Sequence, residues 1–73
     1  MKIVSDTHKK FGQRIKTLRK EKGMTQEDLA FKVGVDRSYM GFIERGEKNV
    51  TLMRLIAIAK AFKISISDLF HSI

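Results

Sequence analysis

Two short helices joined by a tight turn constrain this chain more than any other feature of its sequence. Thr25 suits a helix N-cap, and Asp28 stands three residues later, at the spacing of a capping box, so one helix begins here. Gly34 is suited to the left-handed conformation that ends a helix. Asp36 can cap a second helix, which Gly46 stops. This stretch therefore has the layout of a helix-turn-helix.

The apolar residues between the caps fit the same layout. Leu29, Ala30 and Val33 recur at helical spacing on one face of the first helix, and Val35 is predicted to bury the turn. The second helix is predicted over residues 37–45. The helix-turn-helix is thus assigned to residues 25–46.

The remaining sequence is also predicted to be helical. The 73 residues contain no proline and no cysteine, and apolar residues recur at spacings of three and four almost throughout. Without cysteine there is no disulfide and no thiol metal site, which leaves helix packing and association to stabilise the chain. The predicted fold is all-α, a compact five-helix bundle in one domain over residues 1–73.

A first long helix is predicted to follow a flexible tail at residues 1–6. Ser5, Asp6 and Thr7 compete as its N-cap, and it runs to about Lys22. Its predicted buried stripe consists of Phe11, Ile15 and Leu18.

The C-terminal part, residues 51–73, carries more apolar residues than a chain this small can bury. Thr51 is predicted to cap a helix over residues 52–62, and Ser67 to cap a last short helix over residues 68–70. The predicted core stripe consists of Leu52, Leu55, Ile56, Ala59 and Phe62. The surplus predicts dimerisation helices, with loose packing or a third partner as alternatives. The candidate interface residues are Met53, Ile58, Phe62, Ile64, Ile66 and Phe70.

The charge balance indicates a polyanionic partner. Lys and Arg number 15 against 8 Asp and Glu, a formal net charge of +7, which favours nucleic acid. Lys9, Lys10 and Lys16 are assigned to a solvated helix face. No signal peptide, lipidation motif or membrane span is visible in the sequence, so we expect a cytoplasmic protein.

At the helix-turn-helix the chain resembles the phage-repressor/Cro (XRE-like) family of regulators. The matching residues are Thr25 and Gln26, Leu29 and Ala30, Gly34, and the run from Ile43 to Gly46. The resemblance covers roughly residues 11–70. Residues 36–49 are most similar to the controller proteins of restriction-modification systems, whose recognition helices carry a similar Asp-Arg-Ser/Thr-Tyr run. The resemblance implies a homodimeric transcriptional regulator that binds a palindromic operator in duplex DNA and acts also at its own promoter.

The resemblance implies roles for three residues that support the recognition helix. It pairs Arg19 with Glu44 in an ion pair that braces the first helix against the recognition helix, with a phosphate contact by Arg19 as well. An exposed, unpaired Glu44 is the alternative. Gln26 is implied to be a phosphate clamp at the positive end of its helix.

The recognition helix supplies the candidates for reading bases. Arg37 can bond guanine bidentately or contact a phosphate, and Ser38 suits either partner. Tyr39 could meet thymine methyl groups, donate its hydroxyl to a phosphate or face the core. Phe42 could meet thymine methyl groups or face the core, and Gly41 could allow close approach to the groove or simply be tolerated. The predicted DNA contacts are Gln26, Asp36, Arg37, Ser38, Tyr39, Gly41, Phe42, Arg45, Lys48, Asn49, Thr51 and Arg19.

No motif predicts catalysis, a metal or a cofactor, since His8 and His71 lie near opposite ends without metal-ligand spacing. The expected partners are duplex DNA and a second copy, with RNA polymerase as a further candidate; no membrane or small-molecule ligand is expected. A phage-type repressor, an antitoxin and a protein-interaction module on the same fold are the alternatives. Caps and glycine stops disfavour a membrane-surface peptide.

Overall fold

The structure, a computed structural model, describes residues 5–73, and five α-helices span this part of the chain. Their bounds are α1 Asp6–Glu21, α2 Gln26–Val33, α3 Arg37–Glu44, α4 Leu52–Phe62 and α5 Ile66–Leu69. The predicted all-α, five-helix architecture is therefore confirmed. Among the described residues, no helix combines the length and apolar character needed to cross a membrane.

Helix α1 begins at the earliest of its three predicted N-caps, within the predicted tail. Ser5 is the N-cap, and its Oγ accepts a hydrogen bond of 3.3 Å from the backbone N–H of His8. Asp6, which the sequence placed in a tail, is the first residue of the helix. An acid in the first turn suits the positive end of the helix dipole, which favours this cap over the two alternatives. The rest of the predicted tail, residues 1–4, lies outside the described residues.

The predicted capping box opens α2. Thr25 Oγ1 accepts from the backbone N–H of Asp28 at 3.0 Å, and Asp28 Oδ2 accepts from the backbone N–H of Thr25 at 2.9 Å. Hydrogen bonding to the backbone N–H and to the side chain of Thr25 lowers the pKa of the Asp28 carboxyl, and the positive charge of Lys32 acts in the same direction. The box fixes where α2 begins and so where Gln26, its first residue, is placed.

The turn between α2 and α3 follows the sequence closely. Gly34 adopts the left-handed conformation at φ 85°, and its backbone N–H donates to the carbonyl of Ala30 at 2.8 Å. Val35 is half-buried beneath the turn. Asp36 caps α3, its Oδ2 accepting from the backbone N–H of Ser38 at 2.9 Å.

The recognition helix α3 packs against both α1 and α2, while α4 packs against α2 and α5. These contacts enclose one apolar cluster to which every helix contributes. Its buried members are Phe11, Ile15, Leu18, Leu29, Ala30, Val33, Met40, Ile43, Ile58, Ala59, Phe62 and Leu69.

A glycine allows α1 and α3 to cross in direct backbone contact. An ideal Cβ placed on Gly12 would lie 2.5 Å from the carbonyl oxygens of both Ile43 and Glu44, closer than real Cβ atoms approach. Only a residue without a side chain fits this crossing. The sequence reasoning missed Gly12, although a glycine inside a predicted helix, where it costs stability, was an available signal.

The inward face of α4 differs from the prediction. Ile58 was assigned to a dimer interface, but it is 0% exposed and lies in the core. Phe62 was assigned both to the core stripe and to the interface, and at 1% exposed it belongs to the core. Leu52 was assigned to the core and is 68% exposed. Apolar residues surround almost the whole of α4, so periodicity alone cannot select its inward face, and contacts with α2 and α5 select it instead.

The last helix begins earlier than predicted. Ser65, not Ser67, is the N-cap of α5, and its Oγ accepts from the backbone N–H of Asp68 at 3.0 Å. With this cap, Leu69 is fully buried, and Phe70 stacks on Phe11 with ring centroids 5.2 Å apart. Both serines could cap a short helix, and the burial of Leu69 in the shared core favours the earlier start.

Candidate nucleic-acid interface

The first turn of α3 presents polar side chains to solvent beside the start of α2. Arg37 and Ser38 are both exposed. A shallow depression of about 300 Å³ is lined by Gln26, Arg37, Ser38, Gly41, Phe42 and Arg45. A wider groove of about 640 Å³ continues past Thr25 and Met24 along the start of α2, and it shares Gln26 and Arg37 with the depression. The structure thus brings six of the twelve residues predicted to contact DNA together in this one depression, between the start of α2 and α3.

The N-terminus of α2 gives this surface an anion-binding character. The backbone N–H groups of the first turn of a helix lack intrahelical partners and carry partial positive charge, which suits a phosphate. Gln26 is half-buried at this position, with Arg37 lining the same groove. The depression therefore has one wall suited to phosphates and another, the first turn of α3, suited to base edges.

A buried ion pair fixes the position of these walls. Arg19 Nε donates to Glu44 Oε2 at 2.7 Å and Arg19 Nη2 donates to Glu44 Oε1 at 3.2 Å, a two-bonded geometry. Gln26 Nε2 donates to the same Oε1 at 3.0 Å, and Arg19 Nη1 donates to the carbonyl of Met24 at 2.8 Å. The ion pair implied by the family resemblance is therefore present, and it ties α1, α2 and α3 together through one carboxylate.

The predicted DNA contact by Arg19 is not supported. The side chain is 10% exposed, and its guanidinium already donates to Glu44 and to the Met24 carbonyl. A guanidinium held in this way positions its neighbours instead of reaching outward for a phosphate. Glu44 in turn orients the amide of Gln26, so the buried pair helps to position a residue of the candidate interface.

Two aromatic rings and three cations form a second part of the surface. The guanidinium of Arg45 lies 4.9 Å from the ring centroid of Phe42, and Lys48 Nζ lies 5.4 Å from Phe42 and 5.8 Å from Tyr39. The guanidinium of Arg54 lies 5.2 Å from the Tyr39 ring. These are cation–π distances, so the rings and the cations hold one another in place. Tyr39 is half-buried against the core, whereas Phe42 is 38% exposed.

Arg54 was missed by the sequence reasoning. It lies in the first turn of α4, where its backbone N–H donates to Thr51 Oγ1 at 3.2 Å. A cation in the first turn is unfavourable for the helix dipole, which was the available signal that this side chain serves another purpose.

The other residues predicted to contact DNA differ in burial and in their hydrogen-bond partners. The carboxylate of Asp36 is engaged as the cap of α3, while Lys48, Asn49 and Thr51 are exposed around the loop before α4. Gly41 is buried because the guanidinium of Arg45 folds over it: a Cβ there would lie 3.1 Å from Arg45 Nη1.

The predicted dimer residues divide into three groups. Met53 and Ile66 are 71% and 40% exposed, Ile64 and Phe70 are half-buried, and Ile58 and Phe62 belong to the core as described above. Exposed Leu52 adds to the apolar surface of the C-terminal helices. Within residues 5–73 an exposed apolar surface thus remains, but with a different membership from that predicted.

Known proteins are similar to this chain in sequence and in fold. Residues 15–69 match the family model described as helix-turn-helix. The control protein C.MunI from a Mycoplasma species is 39% identical over 71 residues, covering 96% of this chain and 96% of that protein.

Two solved structures are also similar. The restriction-modification controller protein C.AhdI from Aeromonas hydrophila is 48% identical, with a TM-score of 0.81, covering 88% of this chain and 96% of that one. The controller protein C.Esp1396I was solved as a tetramer in complex with its natural 35-base-pair operator. It is 44% identical, with a TM-score of 0.82, and the match covers 90% of this chain and 87% of that one. The match over most of the chain, together with the geometry of α2 and α3, shows that the chain belongs to the helix-turn-helix family of the phage-repressor/Cro (XRE-like) type.

Proposed function

We propose that this chain is a sequence-specific regulator of transcription that binds duplex DNA and has no catalytic role. The observation that carries the proposal is the exposure of Arg37 and Ser38 at the capped start of α3, beside a Gln26 amide anchored by Glu44. A short helix with free polar side chains at its N-terminus, held next to a phosphate-binding helix end, suits insertion into the major groove.

The residues of the surface take different roles in this proposal. Arg37 reads a guanine through O6 and N7, because its planar fork matches the two acceptors of that base. Gln26, Lys48 and Asn49 contact phosphates and fix the register of the protein on the duplex. Arg45 and Arg54 add positive charge to the same surface.

A homodimer on a palindromic operator is part of the proposal. Met53 and Ile66 leave apolar surface exposed on the C-terminal helices, and burying it against a second copy would remove it from water. A twofold dimer would set two α3 helices about one turn of DNA apart, roughly 34 Å. The complex of C.Esp1396I with its operator supports an assembly of more than one chain on DNA.

The regulated genes are proposed to be those of a restriction-modification system, together with the promoter of the regulator itself. This part rests on the similarity to control proteins such as C.MunI and C.AhdI. Such a regulator would act in the cytoplasm and meet RNA polymerase at the promoter. The position of the operator relative to the polymerase site would decide between activation and repression.

Selection of bound sequences from a random pool of duplex DNA, at near-physiological salt, tests the proposal. Nonspecific attraction is weak at this salt concentration, so specific contacts dominate the selection. We expect an enriched palindrome with half-sites about 10 base pairs apart. A folded protein that enriches no sequence would contradict the proposal and favour a protein-interaction module.

A further inference from the structure

Phe42 is the apolar member of an otherwise polar surface. It lines the 300 Å³ depression together with Arg37 and Ser38, and it is 38% exposed. Ser38 lies four residues earlier, so Phe42 occupies the same face of α3 one turn further along the helix. A major-groove position for Arg37 and Ser38 therefore places the ring of Phe42 in the groove as well.

The chemistry of the ring restricts what it can read. A phenylalanine side chain neither donates nor accepts a hydrogen bond, and the most prominent apolar group on the base edges of the major groove is the C5-methyl of thymine. We infer that Phe42 is a specificity-determining residue that reads the C5-methyl group of a thymine in each operator half-site. This inference rests on the proposed function.

The surroundings of the ring support this role. Arg45 lies across Phe42 at 4.9 Å and Lys48 at 5.4 Å, so the ring is held by cations that also face the phosphates in the proposed complex. Gly41 gives this arrangement room, because a Cβ at that position would lie 3.1 Å from Arg45 Nη1 and the guanidinium would have to shift by a few tenths of an ångström. The adjacent glycine and phenylalanine thus form one unit: the glycine gives space to Arg45, and Arg45 packs on the ring.

The test removes single methyl groups from the DNA and leaves the protein unchanged. Each thymine of the selected operator is replaced in turn by deoxyuridine, which pairs identically with adenine but lacks the C5-methyl. Loss of one buried methyl should weaken binding about fourfold for one half-site and about 16-fold when both half-sites are changed. Replacement by 5-bromouracil, whose bromine is close to a methyl group in size, should restore binding.

The variant Phe42→Ala assigns the effect to the ring. We expect Phe42→Ala to bind the thymine operator more weakly and to bind the thymine and deoxyuridine duplexes equally well. Phe31→Ala is the matched control, because Phe31 is 86% exposed on α2 and does not line the depression. It should retain wild-type affinity and the wild-type sensitivity to deoxyuridine. The thermal midpoints of both variants establish that they are folded.

Each result bears on the inference. Specific binding that tolerates deoxyuridine at every thymine would overturn the reading by Phe42 while leaving the proposed function intact. Sensitivity that persists in Phe42→Ala would overturn the assignment to this ring. Failure to select any sequence would overturn the proposed function and the inference together.

Discussion

The two sides of α3 have opposite properties. The inner side holds Met40, Ile43 and Glu44, which are 0%, 1% and 8% exposed, and Glu44 is joined to Arg19 by two hydrogen bonds. The outer side holds Arg37, Ser38 and Phe42, whose side chains are exposed. One side fixes the position of the helix and the other is free for recognition, so changes to the two sides should affect different measurements.

The largest effect is expected when Glu44 on the inner side is replaced by alanine. Glu44→Ala leaves the Arg19 guanidinium buried without its carboxylate, which should lower the free energy of unfolding by about 3 to 5 kcal/mol. The control is Glu47→Ala, since Glu47 pairs with Arg45 at 3.3 Å in the open, where both side chains are about half exposed. That variant should stay within about 0.5 kcal/mol of the wild type in urea unfolding.

A paired replacement sharpens the same test. In Arg19→Met combined with Glu44→Leu, no buried charge is left unpaired, so much of the lost stability should return while the orientation of Gln26 is lost. Similar destabilisation by Glu44→Ala and Glu47→Ala would contradict the contrast between the buried and the exposed pair.

The second effect concerns the contact between α1 and the inner side of α3. An alanine inside a helix normally stabilises it by about 0.5 to 1 kcal/mol relative to glycine. Gly12→Ala should instead cost about 1 to 3 kcal/mol, because its Cβ would overlap the carbonyl groups of Ile43 and Glu44. Thermal unfolding measures the change, and Gln13→Ala, at an exposed position on α1, is the control. A gain in stability for Gly12→Ala would show that the two helices can separate at no cost.

The third effect belongs to the outer side and should leave stability unchanged. Arg37→Ala should weaken binding to the selected operator by about 1 to 3 kcal/mol and relax the preference at one base pair, because a bidentate contact with guanine is lost. Lys48→Ala should weaken binding to all duplexes and reduce the salt slope by about one. Binding titrations of each variant against specific and random duplexes, at several salt concentrations, distinguish the effect of Arg37→Ala from that of Lys48→Ala. Equal losses on both duplexes for both variants would refute the division of roles.

The smallest effect comes from the capping box that opens α2. The folded-state pKa of Asp28 lies below its ordinary value of 3.8, so its contribution to stability is present above about pH 4 and is lost as the pH falls through the folded-state pKa. Asp28→Asn removes this dependence. The difference between the thermal midpoints of wild type and Asp28→Asn should therefore narrow on acidification below pH 4. A constant difference down to low pH would contradict a role for the ionised carboxylate.

Much of the candidate site was predictable because its signals are local. The caps at Thr25 and Asp36 and the left-handed Gly34 are each read from a few neighbouring residues, and they place the first turn of α3. The pairing of Arg19 with Glu44 is a contact between residues 25 positions apart, and it was anticipated only through the family resemblance. No local rule could have supplied it.

Signals that depend on distant neighbours were misread or missed. Ile58 and Leu52 exchanged their predicted places because both lie on a helix that is apolar nearly all round. Gly12 was overlooked because the reason for a glycine there is the backbone of another helix. The exposure of Phe42 likewise depends on where α3 settles against the core.

The sequence by itself determined where the central helices begin and end and that they form a helix-turn-helix, because caps and left-handed glycines satisfy backbone groups within a few residues. Only the tertiary structure decided which face of α4 is buried, which serine caps α5, and that Phe42 points outward while Arg19 points inward. Those choices depend on which surfaces are removed from water when the helices meet, and that depends on the whole chain.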